Sequence, residues 1–267
     1  MKKGLTIAGS DCSGGAGIQA DLKTFQERDI YGMSVLTCLV AMTPEEWGHI
    51  VKPVELEMIR HQFRTVFPGV NGIDAVKTGM LPTVEIIETV GELLGEVHPA
   101  HLVIDPVMVC KGTKEPLFPE NTQAMIRSLL PLAEVVTPNT FEALQLSGLP
   151  DFQGEDDLLE AARRICALGP KYTVIKAARI FDGRSVDLLY DGREPFWIRE
   201  EKITTAWTHG AGCSFSACLT AELAKDAPVR EAFLTAHAFV HQGLLHSFPL
   251  NDHVGPIYHK AYAKYGA

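Results

Sequence analysis

The sequence predicts an α/β protein: a central, mostly parallel sheet sandwiched between helices. Three observations predict it. Strand-like runs rich in β-branched residues alternate with stretches of helical period along nearly the whole chain. The run Ser34-Val35-Leu36-Thr37-Cys38-Leu39-Val40-Ala41 is apolar or β-branched at nearly every position, as a strand covered on both faces requires. The units are punctuated by Gly and Pro stops, without a repeat, a low-complexity segment or a shift in composition, which reads as one domain over residues 1–267.

Each element follows from local pattern. A first strand at residues 4–9 enters a Gly-rich turn, and residues 16–28 form a helix with Ile18, Leu22 and Phe25 on one face. The second strand spans 34–41 and the second helix 54–67. The unit then repeats as strand 73–77, helix 83–97 behind Pro82, strand 101–106, helix 119–130 and strand 134–137. Residues 155–168 place Leu158, Ala162, Ile165 and Cys166 at helical spacing, and Gly169-Pro170 stops that helix before a strand at 172–176. Asp191-Gly192 joins short strands at 186–190 and 196–200 as a hairpin, which adds an antiparallel edge. Helices at 211–225 and 229–247 and a C-terminal one complete the chain.

Composition narrows the function classes. A chain of 267 residues, 46% hydrophobic, can bury well over half of its unfolded surface without disulfides. The cysteines at 12, 38, 110, 166, 213 and 218 include no C-x-x-C pair, which argues against a zinc frame or redox dithiol and for reduced cytosolic thiols. With 24 Lys plus Arg against 33 Asp plus Glu, the net charge of −9 argues against nucleic acid and against a basic membrane patch. Asp11 cuts the N-terminal apolar stretch short of the roughly 7–15 residues of a signal peptide, and no run reaches the roughly 18 of a membrane span. A cytoplasmic enzyme or binding protein for small molecules is expected.

In sheets of this kind ligands lie beyond the carboxyl ends of the strands. The first such loop runs from Gly9 to Gly17. Its Gly15-Ala16-Gly17-Ile18-Gln19-Ala20 fits a dinucleotide fingerprint but lacks the ribose-binding acid about 20 residues on; it also lacks the G-K-[ST] of a phosphate loop. Asp11 and Asp21 remain, in either a ligand cradle or a plain tight turn. A second loop, Thr208-His209-Gly210-Ala211-Gly212-Cys213, opens a long helix, where first-turn amides and the helix dipole suit an anion. Tight packing of small residues is the other explanation. Cys213 falls in that first turn, where a thiol of about 8.5 is commonly lowered, so it is a candidate base.

The third loop, Asp105 to Gly112, offers a carboxylate that could hold Mg²⁺ or its water shell, with Cys110 beside Lys111. In the fourth, Asn139 and Glu142 stand at i and i+3 of a helix start, fit either for a ligand or for capping the helix. Together the four loops supply the parts for phosphoryl transfer by positioning and charge neutralisation.

The segments LTIAGSDCSGGAGIQADLKTF, KTGML, VIDPVMVCKG, TPNTFEA and THGAGCSFSACLTAELAK resemble the ribokinase-like vitamin kinases, the group containing hydroxymethylpyrimidine (phosphate) kinase and pyridoxal kinase. The likeness spans residues 4 to about 260. It implies a ribokinase-like fold and transfer of the ATP γ-phosphoryl group, with Mg²⁺, to a hydroxymethyl group on a heteroaromatic ring. By the same resemblance Asn139, Glu142 and Lys176 serve the nucleotide, Asp105 and Glu142 the metal, and Gly210, Ala211 and Gly212 the anion hole before the base Cys213. Asp11, Met42, His49, Gly79, Met80, Val107 and His209 are expected around the substrate ring. The pyrimidine kinases typically carry glutamine at the position of Met42, whose thioether suits packing on a pyridine ring. Cys110 matches a dual-cysteine class of pyridoxal kinases of Gram-positive bacteria, in which a lid thiol adds to the pyridoxal aldehyde. The resemblance thus implies pyridoxal and the related B6 vitamers as substrates, hydroxymethylpyrimidine as the alternative, and a homodimer. One departure stands out: Ala177-Ala178 follows Lys176 where the family usually has Gly-Gly.

Overall fold

A computed structural model describes all residues except 44, 46, 68–71, 109–118, 182 and 267, and the side chains of all but 119 and 177–181 among the rest. Along the chain run β1 (Lys3–Asp11), α1 (Gly17–Glu27), β2 (Tyr31–Met42), β3 (His49–Pro53), α2 (Leu56–Val66), β4 (Ala75–Thr78), α3 (Val84–Val97), β5 (Leu102–Ile104), α4 (Pro119–Ser128), β6 (Val135–Val136), α5 (Thr140–Ser147), α6 (Glu155–Cys166), β7 (Tyr172–Phe181), β8 (Arg184–Tyr190), β9 (Pro195–Glu201), α7 (Ala211–Ala224), α8 (Val229–Leu245) and α9 (Ala261–Tyr265). Among the described residues the nine strands form one sheet in the order β3-β2-β1-β4-β5-β6-β7-β8-β9. The pairs from β2 to β7 are parallel and those at both edges antiparallel.

Side-chain alternation along the strands builds the two faces. Leu102 and Ile104 of β5, Val136 of β6 and Ile175 of β7 join the core under α2 to α6. Their neighbours Val103, Val135 and Val174 join a second core under α7 and α8. Ala75 of β4 faces that same side, against α1 and α7. The result is the predicted sheet between two helical layers. No helix among the described residues is long and apolar enough to cross a membrane.

Three departures from expectation have a local cause. β3 has no counterpart in the sequence prediction; its exposed Ile50, Lys52 and Pro53 mark it as an edge strand, where burial leaves no alternation to read. β5 stops at Ile104, short of residue 106, because the Val107 amide turns back onto the Asp105 carbonyl (2.9 Å) and Pro106 has no amide to donate. β7 continues past residue 176 to Phe181, with a register shift between Ala177 and Ile180.

α7 is buried on nearly all sides and packs between α1 and α8. Its Ser214 Oγ lies 3.0 Å from Nε2 of His259, a buried residue of the C-terminal segment. Burial pushes the His259 imidazole down from 6.5 to about 4, and Lys23 adds to the effect. Between those values the unfolded chain takes up a proton that the folded chain refuses, so stability is present above the unfolded pKa and lost as pH falls. At roughly 1.4 kcal/mol per unit, the loss is expected to reach about 3 kcal/mol near pH 4. Urea unfolding of wild type and His259→Gln across that range checks this; the variant should show a flatter acid limb.

Candidate active site

β1 lies between β2 and β4, so the chain passes to opposite sides of β1 and opens a crevice at the strands' carboxyl ends. There a cavity of about 620 Å³ reaches from Met42 and His49 at the β2–β3 end to Glu200 and His241 at the β9 end. Such a volume suits a small molecule. Asp11, Gly79, Met80, Asp105, Val107, Asn139, Glu142, Lys176, His209, Gly210, Ala211, Gly212 and Cys213 all line it. Cys110 lies outside the described residues, as do the side chains of Ala177 and Ala178.

The Gly-rich loop is a tight turn and a cavity wall at once. Asp11 Oδ1 accepts the Ser13 amide (2.8 Å), while Oδ2 accepts the Ser13 hydroxyl (2.8 Å), the Ala16 amide (3.1 Å) and His209 Nε2–H (2.6 Å). Burial pushes the Asp11 carboxyl up, but the His209 and Ser13 bonds outweigh it and hold it below the ordinary carboxylate range. Asp11 therefore locks the first loop onto the second. The contact is close: a Cβ on Gly210, whose φ is 76°, would fall 1.8 Å from the Gly15 carbonyl oxygen.

Gly210 caps α7, and the Ala211 amide donates to the Thr208 carbonyl (3.2 Å). The amides of Gly212 and Cys213 are then the first-turn donors that a helix leaves without an intrahelical acceptor. The half-buried Cys213 thiol faces the cavity beside the Gly17 amide. Its titration departs from expectation. Burial pushes the thiol up to about 12, with the Asp21 and Asp105 carboxylates pushing the same way and Lys77 and the Gly17 amide pulling against them. The helix N-terminus does not lower this thiol, because desolvation is the larger effect.

Beneath Cys213 lies a buried ion pair that motif reading did not assign. Lys77 lies two residues beyond Ala75 on β4 and so shares its face toward α1 and α7; its Nζ donates to Asp21 Oδ2 (2.8 Å), and both side chains are fully buried. The Thr6 hydroxyl donates to the same oxygen (2.6 Å), while Asp21 Oδ1 is buried with no hydrogen-bond partner. Burial pushes the Asp21 carboxyl up. It would lower Lys77, but Asp21, Cys213 and Asp105 together hold the ammonium above its ordinary range. A lysine within a four-residue strand that is buried throughout was the available signal.

Across the cavity Lys176 Nζ donates to Asp105 Oδ1 (2.8 Å), which also accepts the Thr137 hydroxyl (3.2 Å); Asp105 Oδ2 accepts the Ser216 hydroxyl of α7 (2.9 Å). Asn139 and Glu142 form a complete capping box on α5, with bonds of 2.9 and 2.8 Å. The helix-capping explanation thus holds, although both residues remain on the cavity wall. Burial raises the Glu142 carboxyl to about 7, with Lys176 opposing and Asp105 reinforcing the shift. A Cβ on Gly212 would stand 3.6 Å from Lys176 Nζ, so cation and helix start face one space suited to an anion. Asp105 and Glu142 are hard oxygen donors, the class that suits Mg²⁺ and its water shell.

At the other end, β2–β3 pairing sets Met42 directly opposite His49. Burial lowers the His49 imidazole, and His209 adds to this. Met42 and His49, both expected around the substrate ring, thus stand side by side on one wall.

The sheet and its crevice beyond β1 match those of solved pyridoxal kinase structures over 98% of the chain, which shows a ribokinase-like α/β fold. The profile of the phosphomethylpyrimidine kinase family matches residues 11–258, and the chain belongs to that family. It is 53% identical to the pyridoxine kinase of Bacillus subtilis over 263 residues, covering 98% of this chain and 97% of the relative. A Haemophilus influenzae hydroxymethylpyrimidine/phosphomethylpyrimidine kinase is 40% identical, covering 99% and 98%. The structure of the pyridoxal kinase from Staphylococcus aureus in complex with AMP-PCP and pyridoxal superposes with a TM-score of 0.92 at 44% identity, covering 99% of this chain and 96% of that one.

Proposed function

We propose that this chain phosphorylates the 5′-hydroxymethyl group of pyridoxal, and of pyridoxine and pyridoxamine, using ATP and Mg²⁺. The observation that carries this reading is the cavity itself, which brings the Cys213 thiol and the first-turn amides of α7 together with Lys176 and Asp105. Likeness to relatives named for pyridoxine and pyridoxal supports the substrate class.

In this reading the Gly212 and Cys213 amides and Lys176 hold the moving phosphoryl group, in preorganised positions where charge develops. Mg²⁺, when bound, offsets further charge on the phosphates. Lys176 keeps its place because Asp105, fixed by Thr137 and Ser216, holds its ammonium. Cys213, once its own proton has left, takes the hydroxyl proton: the O–H bond breaks, S–H forms, and the oxygen bonds to phosphorus as ADP departs. Asp11 and His209 keep the two loops in register around the ring.

Met42 distinguishes the two vitamin classes. Its thioether packs but donates no hydrogen bond, whereas glutamine offers both a donor and an acceptor to an aminopyrimidine. Wild type should turn over pyridoxal, pyridoxine and pyridoxamine with higher kcat/KM than hydroxymethylpyrimidine. Met42→Gln should shift the ratio toward the pyrimidine by roughly fivefold, the worth of one hydrogen bond of about 1 kcal/mol. A wild type that prefers hydroxymethylpyrimidine would overturn the reading in favour of the pyrimidine-kinase alternative.

A further inference from the structure

Metal-ligating side chains also converge away from Cys213, where β9 passes α8. We propose that Glu200, His237 and His241 form a binding site for a zinc-class divalent transition-metal ion, with Asp187 orienting His237. Such an ion ties the edge strand β9 to α8 at the β9 end of the cleft.

His237 and His241 stand at i and i+4 on α8, which sets two imidazoles on one helical face. Glu200 reaches them from β9: its Oε2 lies 3.1 Å from His237 Nε2 and 2.8 Å from His241 Nδ1. The ligand atoms all lie within 4.8 Å of one another. Tetrahedral zinc with bonds of about 2.0–2.2 Å sets its ligand atoms roughly 3.3–3.6 Å apart, so small side-chain rotations suffice.

Two observations distinguish this cluster from an ordinary ion pair. Glu200 Oε2 and His237 Nε2 are buried and, despite their closeness, make no well-aligned hydrogen bond. Buried polar atoms are rarely left so, and an ion between them would satisfy both. In addition, His237 Nδ1 lies 2.8 Å from Asp187 Oδ2 on the neighbouring strand β8. A carboxylate in that position holds a proton on Nδ1 and turns Nε2 toward Glu200, where a metal ion would take the place of any Nε2 proton, as the outer partners of zinc-bound histidines do. Two imidazoles and one carboxylate select a zinc-class ion, whereas the oxygen donors Asp105 and Glu142 suit magnesium. Three protein ligands leave a fourth position, and all three residues line the cavity, so that position opens on the cleft.

The test uses the full-length protein, freed of metal with a chelator and studied without nucleotide. Calorimetric titration with Zn²⁺ and optical titration with Co²⁺ should both show a tight site, and the Co²⁺ spectrum should carry the visible bands of low coordination without thiolate-to-metal charge transfer. His241→Ala alters a side chain 32% exposed and is expected to fold normally; it should abolish that site while the metal-free melting temperature stays near wild type. Asp187→Asn should weaken binding by about 10–100-fold without abolishing it. Zn²⁺ should raise the melting temperature of wild type and not of His241→Ala. Equal Zn²⁺ affinity in wild type and His241→Ala, a Co²⁺ spectrum dominated by thiolate bands, or no binding below millimolar would each overturn the proposal.

Discussion

Replacing Cys213 by alanine is expected to lower kcat by about 10²–10⁴-fold, the usual worth of a positioned general base, with a smaller change in KM. The pH dependence is the more specific signature. With burial holding the thiol at about 12, its base form is scarce at neutral pH, and the fraction grows tenfold for each unit of rising pH. Wild-type kcat/KM, which reports the free enzyme, should therefore climb across roughly pH 6 to 10 without levelling. Cys213→Asp should retain far more activity than Cys213→Ala, and its rising limb should move several units toward acid, because even a carboxyl raised by the same burial titrates below a thiol. Unchanged kcat in Cys213→Ala, or coincident profiles for cysteine and aspartate, would assign the base elsewhere.

How much of this was legible in the sequence depends on what each residue needs in order to act. The βα alternation gave the sheet and both helical layers because a buried parallel strand leaves an unbroken apolar run, as residues 34–41 do. β3 escaped because an exposed edge strand selects no such run, and β6 shrank because only Val135 and Val136 find partners on both sides. Asp105, Asn139, Glu142, Lys176 and Cys213 could be picked out one by one, since each follows a strand or opens a helix. Their convergence on one cavity depends on strand order, which local pattern does not contain. Titration was the least legible property. A helix start predicts a lowered thiol, and burial beside Asp21 reverses that prediction. Asp187, Glu200, His237 and His241 lie on three elements, so only the packing of β8 and β9 against α8 brings them together.

Lys77→Met is expected to destabilise the fold by about 3–5 kcal/mol, because it strands the Asp21 carboxylate in the interior with only the Thr6 hydroxyl. The cost comes from breaking the pair rather than from losing the lysine as such. Two fully buried charges repay their desolvation poorly, so removing both at once should cost little. The double variant Lys77→Met, Asp21→Asn keeps an acceptor for Thr6 and should recover most of the stability, as urea midpoints at unchanged m value would report. Its pH profile should not return with it. Lys77 is the cation that pulls the Cys213 thiol down against burial, and methionine restores none of that field. Asp21 pushes the thiol the other way and more strongly, so Lys77→Met alone should make kcat/KM climb later in pH than in wild type, whereas the double variant should make it climb earlier. A purely structural pair makes a different forecast: once stability returns, so do the rate and its pH profile. If the double variant matches wild type in both, Lys77 holds α1 against β4 and has no part in positioning charge at Cys213.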